Sequence, residues 1–221
     1  MIVHYFDNHL LLVEKPAGLL TQPTPEESES LENQVKEWVK EKMQKKGAVF
    51  LHAVHRLDRV ASGIVLFAKT TKALERLNSM QKKGAFTKIY IAEVEGIVDE
   101  DEQTLVHYLS HNEFKAQIAD TPFDEAKRSE LSFEVIKRKK NSTILLVILK
   151  TGRYHQIRAQ LSFIGYPIIH DEKYGAKRGE RKEIHLHNAY LSFKHPVTND
   201  LITCFSAPPF YPDLKASDLG F

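Results

Sequence analysis

The chain has 221 residues, 42% hydrophobic and 27% charged, a balance that excludes a largely disordered or fibrous protein and is enough for one domain with a real core. Lys and Arg number 31 against 29 Asp and Glu, so the net charge of +2 does not by itself mark a nucleic-acid binder. The single cysteine, Cys204, excludes an intramolecular disulfide framework and a cysteine-cluster zinc site; with no signal-peptide pattern and no bilayer-length apolar run, it predicts a cytoplasmic location and no membrane association.

The first apolar runs, 2–6 and 10–13, flank Asp7-Asn8 and predict two short strands joined by a turn, the second broken by Lys15-Pro16-Ala17-Gly18. A Pro- and Glu-rich loop over 21–30 then leads into Leu31, Val35, Trp38, Val39 and Met43, which recur at helical spacing. Residues 54–59 predict a tight loop, Ile64-Val65-Leu66-Phe67 a buried strand, and Leu74, Leu77 and Met80 a second helix ended by Gly84. The run 88–96 is strand-like, and 131–135 pairs plausibly with 144–149 across the polar turn Lys139-Lys140-Asn141. Ile157, Leu161 and Ile164 mark a helical face closing at Gly165, a left-handed cap position. Strands follow over 185–193 and 201–205, and 207–221 is expected as an extended tail. Hairpin-like strand pairs with interspersed helices predict an α+β fold, a mixed and mainly antiparallel sheet with flanking helices, in a single domain over 1–221.

The densest set of reactive side chains is His52-Ala53-Val54-His55-Arg56-Leu57-Asp58-Arg59, directly before Ser62-Gly63 and a core strand. Read as ligands on a helical turn, His52, His55 and Asp58, completed by His185 and His187, would make a metallohydrolase site, although Arg56 and Arg59 put positive charge beside the cation. A second segment, 151–161, carries Arg158 one residue past the core-facing Ile157. Spacing alone leaves Arg158 open between a solvated helix arginine and a partly buried partner of Asp58 that keeps the carboxylate ionised.

Together these segments resemble the RluA-type pseudouridine synthases, enzymes that isomerise uridine in ribosomal or transfer RNA. The resemblance runs through Asp7-Asn8-His9-Leu10, Glu14-Lys15-Pro16-Ala17-Gly18, His55-Arg56-Leu57-Asp58 and Lys88-x-Tyr90-x-Ala92-x-Val94-x-Gly96. It continues through Thr151-Gly152-Arg153-x-His155-Gln156-Ile157-Arg158, Gly165-x-Pro167-Ile168 and Asp171-x-x-Tyr174-Gly175. The resemblance implies that Asp58 is the catalytic aspartate, Tyr90 the tyrosine that stacks on the target base, and Arg158 the basic partner of the aspartate. It also implies that Leu161 packs against the active site and that Arg56 helps hold the space left by the flipped nucleotide. Ala61-Ser62-Gly63 departs from the family's usual Thr-Ser-Gly, which bears on loop hydrogen bonding.

Pseudouridine formation breaks the bond from ribose C1′ to N1, turns the base and rejoins it through C5, with no net redox change; no cofactor or metal is implied. A carboxylate either attacks C1′ or assists loss of a ribose proton, and the sequence leaves both routes open. The implied fold has a central cleft lined by Asp58, Tyr90 and Arg158. RNA contacts are expected among Lys82-Lys83 with Lys88, Lys137-Arg138-Lys139-Lys140, and Lys177-Arg178 with Arg181-Lys182. Catalytic motifs beginning within the first residues suggest the single-domain type, a monomer with structured RNA as partner and no obligatory protein partner. The alternatives are a non-catalytic RNA-binding protein on the same fold and the metal-dependent hydrolase.

Overall fold

The first two helices begin where a hydroxyl side chain meets an amphipathic run. Ser30 and Thr70, both in extended backbone, accept hydrogen bonds from Asn33 N and Ala73 N and so start α1 (Leu31–Lys42) and α2 (Thr71–Lys82). The third helix, α3 (Gln156–Phe163), starts instead from His155 in the left-handed region, with φ +52°. The computed structural model describes residues 1–112, 114–179 and 183–220. They divide into two compact units, one of residues 1–86 with 190–206, the other of residues 87–189 with 207 onward.

In the first unit, β1 (Val3–Phe6) and β2 (Leu10–Lys15) form the predicted hairpin, closed by Asp7, whose carboxylate accepts from His9 N and Leu10 N. β2 lies antiparallel to β4 (Ser62–Ala68), and β3 (His52–Ala53) pairs with the end of β4. The second half of β10 (Leu186–Lys194) continues this sheet, and β11 (Leu201–Phe205) pairs with it. Leu10, Leu12, Ile64, Leu66, Leu191 and Phe193 pack against Ala73 and Leu77 of α2. Leu11, Val13, Val65 and Phe67 fill the opposite side of the same strands, where Trp38 of α1 meets Phe6 edge-on. Burial on both sides explains the unbroken apolar runs of β2 and β4.

The second unit holds β5 (Thr87–Glu95), β6 (Glu102–His111), β7 (Ala116–Ala119), β8 (Lys127–Arg138) and β9 (Ser142–Leu149), in the order β5-β9-β8-β6-β7, every pair antiparallel. The first residues of β10 lie beside β5. The register brings Tyr90 to Val147, Val147 to Phe133, Leu131 to Leu105 and Ser129 to His107, so one face carries Tyr90, Phe133, Leu105 and His107. α3 lies on that face, because Gln160 Nε2 bonds Leu105 O and His107 Nδ1, and Ala159 packs with Leu109 and Ala116. The chain is therefore α+β with a mainly antiparallel sheet, as predicted. The end of the chain differs from the extended tail expected. Leu214 and Leu219 are buried, Phe210 stacks on His185 at 4.6 Å, and Ala216–Leu219 form a short 3-10 helix capped by Asp218.

Candidate active site

Asp58 and Arg56 lie in the first unit on the loop between β3 and β4, Arg56 exposed and Asp58 half-buried. The backbone on both sides of Asp58 is fixed by dedicated donors. Thr21 Oγ1 donates to Leu57 O at 3.0 Å and accepts from Leu57 N at 3.1 Å. Arg59 O accepts from Gly18 N at 2.7 Å and from Lys15 Nζ at 3.2 Å, and Arg59 Nε donates back to Gly18 O at 2.9 Å. Gly18 adopts φ +87°, a backbone conformation strained for residues that carry a Cβ.

Lys15 is the residue that sequence reasoning passed over. It reads as a turn flank before Pro16, yet it is 0% exposed, and its ammonium also donates to Pro16 O and Leu19 O. Burial pushes its pKa down to about 7, partly offset by the nearby Asp58 carboxylate. A buried lysine that ties two loops by their carbonyls gives the aspartate loop its shape.

The second unit holds Tyr90, Arg158 and Leu161, all buried. Arg158 is not the solvated helix arginine that spacing left open: Nε and Nη2 each donate at 2.7 Å to one oxygen of Asp171. Asp171 stands beyond the Gly165 turn and before a 3-10 turn, Glu172–Tyr174, whose tyrosine ring lies 4.9 Å from the guanidinium. Asp171 appears in the sequence motif with no role attached; the structure makes it the residue that orients Arg158. Gln156, also buried, ties the start of α3 to the sheet by accepting from Thr151 Oγ1 and Arg153 N and donating to Glu130 O.

The metal-ligand reading of His52, His55 and Asp58 does not survive. Their segment is not helical, His52 is exposed on β3, and His55 Nε2 accepts the Leu66 N–H at 3.2 Å. His185 Nδ1 is engaged by Glu93 at 2.9 Å, His187 is fully buried, and among the described residues no three His, Cys, Asp or Glu side chains gather as a cation would need. Of the expected basic patches, Lys139 is committed to Glu93, and Arg138 to Val98 O, Asp99 O and Asp101. Lys88 is half-buried, and the loss of solvent pushes its pKa down to about 8; Arg181 and Lys182 lie outside the described residues.

A family model described as RNA pseudouridylate synthase matches residues 9–163, a span that includes Asp58, Tyr90, Arg158 and Leu161. The chain belongs to the RNA pseudouridylate synthase family. It is 32% identical over 218 residues to a dual-specificity RNA pseudouridine synthase RluA of Vibrio vulnificus, covering 95% of this chain and 84% of that one. It is 31% identical over 215 residues to a ribosomal large subunit pseudouridine synthase C of Salmonella typhi, covering 91% and 64%. Among solved structures, human RNA pseudouridylate synthase domain containing 4 superposes with a TM-score of 0.78 at 18% identity, covering 99% of this chain and 93% of that one, which supports the fold. As an RNA pseudouridine synthase the chain is an isomerase. Among its described residues no helix is long and apolar enough to cross a membrane.

Proposed function

We propose that this synthase isomerises specific uridines in structured ribosomal or transfer RNA, with Asp58, Tyr90 and Arg158 carrying the reaction. Asp58 supplies the carboxylate that attacks C1′ or assists loss of the ribose proton. Tyr90 stacks on the detached base, and its phenol takes part in moving the C5 proton. Arg158 acts with Asp58 as the basic residue of the set, Leu161 forms an apolar wall, and Arg56 fills the space vacated by the flipped nucleotide. The chain acts as a single catalytic domain. The chain works as a monomer in the cytoplasm, without metal, cofactor or obligatory protein partner.

The observation that carries the reading is the state of Arg158. A buried guanidinium gripped at two nitrogens by Asp171, on the sheet face that bears Tyr90, is an expensive feature for a fold and suits the fixing of a reactive carboxylate. The relatives' names, one dual-specificity and one of the large ribosomal subunit, support the substrate class. Tritium release from RNA labelled at uridine C5 tests the proposal. Release from ribosomal or transfer RNA, with chelator present and nothing else added, is the expected result; no release from any RNA class overturns it.

A further inference from the structure

At the end of the β6–β7 hairpin, Asn112 Oδ1 accepts from Phe114 N at 3.2 Å and Lys115 N at 2.8 Å. Phe114 is 72% exposed, the highest of any large apolar side chain among the described residues. An aromatic ring held in water in this way contributes nothing to the core.

Beside the tip stands a second exposed ring. Tyr154, in the turn before α3, is 39% exposed; it lies parallel to the His155 ring at 3.8 Å and 17°, and His111 meets it edge-on at 4.1 Å. His155 itself is pinned. Its backbone is left-handed, and its Nδ1 is 3.0 Å from the Tyr174 hydroxyl, which accepts the Ala116 N–H at 2.9 Å. The Lys115 ammonium sits 4.8 Å from the centre of the Tyr174 ring, and Arg153 and Lys127 are exposed nearby in sequence and register. Rings interleaved with cations, rather than a continuous apolar patch, fit the flat faces and phosphates of single-stranded RNA.

We propose that Tyr154 and His155, with His111, Phe114 and Lys115 of the hairpin tip, form a stacking platform for an unpaired nucleotide neighbouring the target uridine. The proposal rests on the reading of the chain as an RNA-modifying enzyme and adds the loop nucleotide it grips. Tyr174 links the platform to Arg158, since both His155 and the guanidinium contact it. Pre-positioned rings suit this task because little side-chain freedom is lost on binding.

The test uses ribosomal and transfer RNA stem-loops with a uridine in the loop and 2-aminopurine placed at one other loop position at a time. Native protein is expected to quench the fluorescence at one position. Tyr154→Ala and Phe114→Ala are each expected to weaken Kd by about tenfold and to lose that quench. Tyr154→Phe, which keeps the ring, is expected to recover both, and thermal melts of all three are expected to match the native chain. Native-like Kd and an intact quench in both alanine variants, with turnover by the native protein, would overturn the platform and leave the function standing. No binding or turnover of any RNA by the native protein would overturn the function, and the platform with it.

Discussion

Replacing Asp171 with asparagine tests whether Arg158 is held as described. The pair is buried, at 4% and 1% exposure, and joined by two hydrogen bonds of 2.7 Å each. Asp171→Asn keeps the shape but removes the charge, and it turns one acceptor into a donor facing another donor. Removing one partner of such a pair costs about 3–5 kcal/mol, because the buried guanidinium loses the carboxylate that grips it. For a chain of this length each kcal/mol moves Tm by about 2–4 °C, so a fall of roughly 10 °C is expected. Turnover is expected to fall by about a hundredfold, as a misplaced catalytic partner does. Thermal melts and tritium release read the two effects separately. The double variant Arg158→Met with Asp171→Leu, which removes both charges, is expected to regain much of the Tm and none of the turnover. An Asp171→Asn protein with Tm within about 2 °C of native and undiminished turnover would refute the argument.

Two further outcomes follow from buried charges elsewhere. Burial alone would raise the pKa of Glu93, but hydrogen bonds from His185, Lys139 and Ser142, with the Lys139 charge, outweigh it and hold the carboxyl at about 2. Because the folded value lies below the unfolded one, this stabilisation is present above about pH 4.5 and is lost as pH falls toward 2. It amounts to about 3 kcal/mol. Denaturant titrations at pH 7 and pH 3 are expected to show the loss, and Glu93→Gln is expected to flatten it; an unchanged pH slope in that variant would contradict the assignment. Lys15→Met removes the donor shared by Pro16 O, Leu19 O and Arg59 O, and kcat is expected to fall by about tenfold as the Asp58 loop loosens, with native-like kcat the contrary result.

Much of the fold was legible because local signals agree with tertiary placement. Ser30 and Thr70 stand where caps belong, Gly165 closes α3 with φ +90°, and the apolar runs of β2 and β4 are buried on both faces. β6 was missed because its alternation is inverted. His107 points inward with Leu105 and Leu109, bonded by Gln160, while Val106 is exposed, so hydrophobicity gives no period of two. Lys15 was missed because a lone lysine in sequence reads as solvated, and its burial is tolerable because three carbonyls converge on it with the Asp58 carboxylate nearby. Asp171 needed the fold as well: the turn at Gly165 lies between it and Arg158, thirteen residues apart, and no local periodicity predicts that they meet.

The assignment of the chemistry to Asp58 is tested by removing its charge alone. Tritium release from C5-labelled RNA is measured for the native chain and for Asp58→Asn in the presence of chelator, with RNA affinity measured in parallel. The account predicts release by the native protein, none by the variant, and equal affinity for both. Turnover by Asp58→Asn would contradict it.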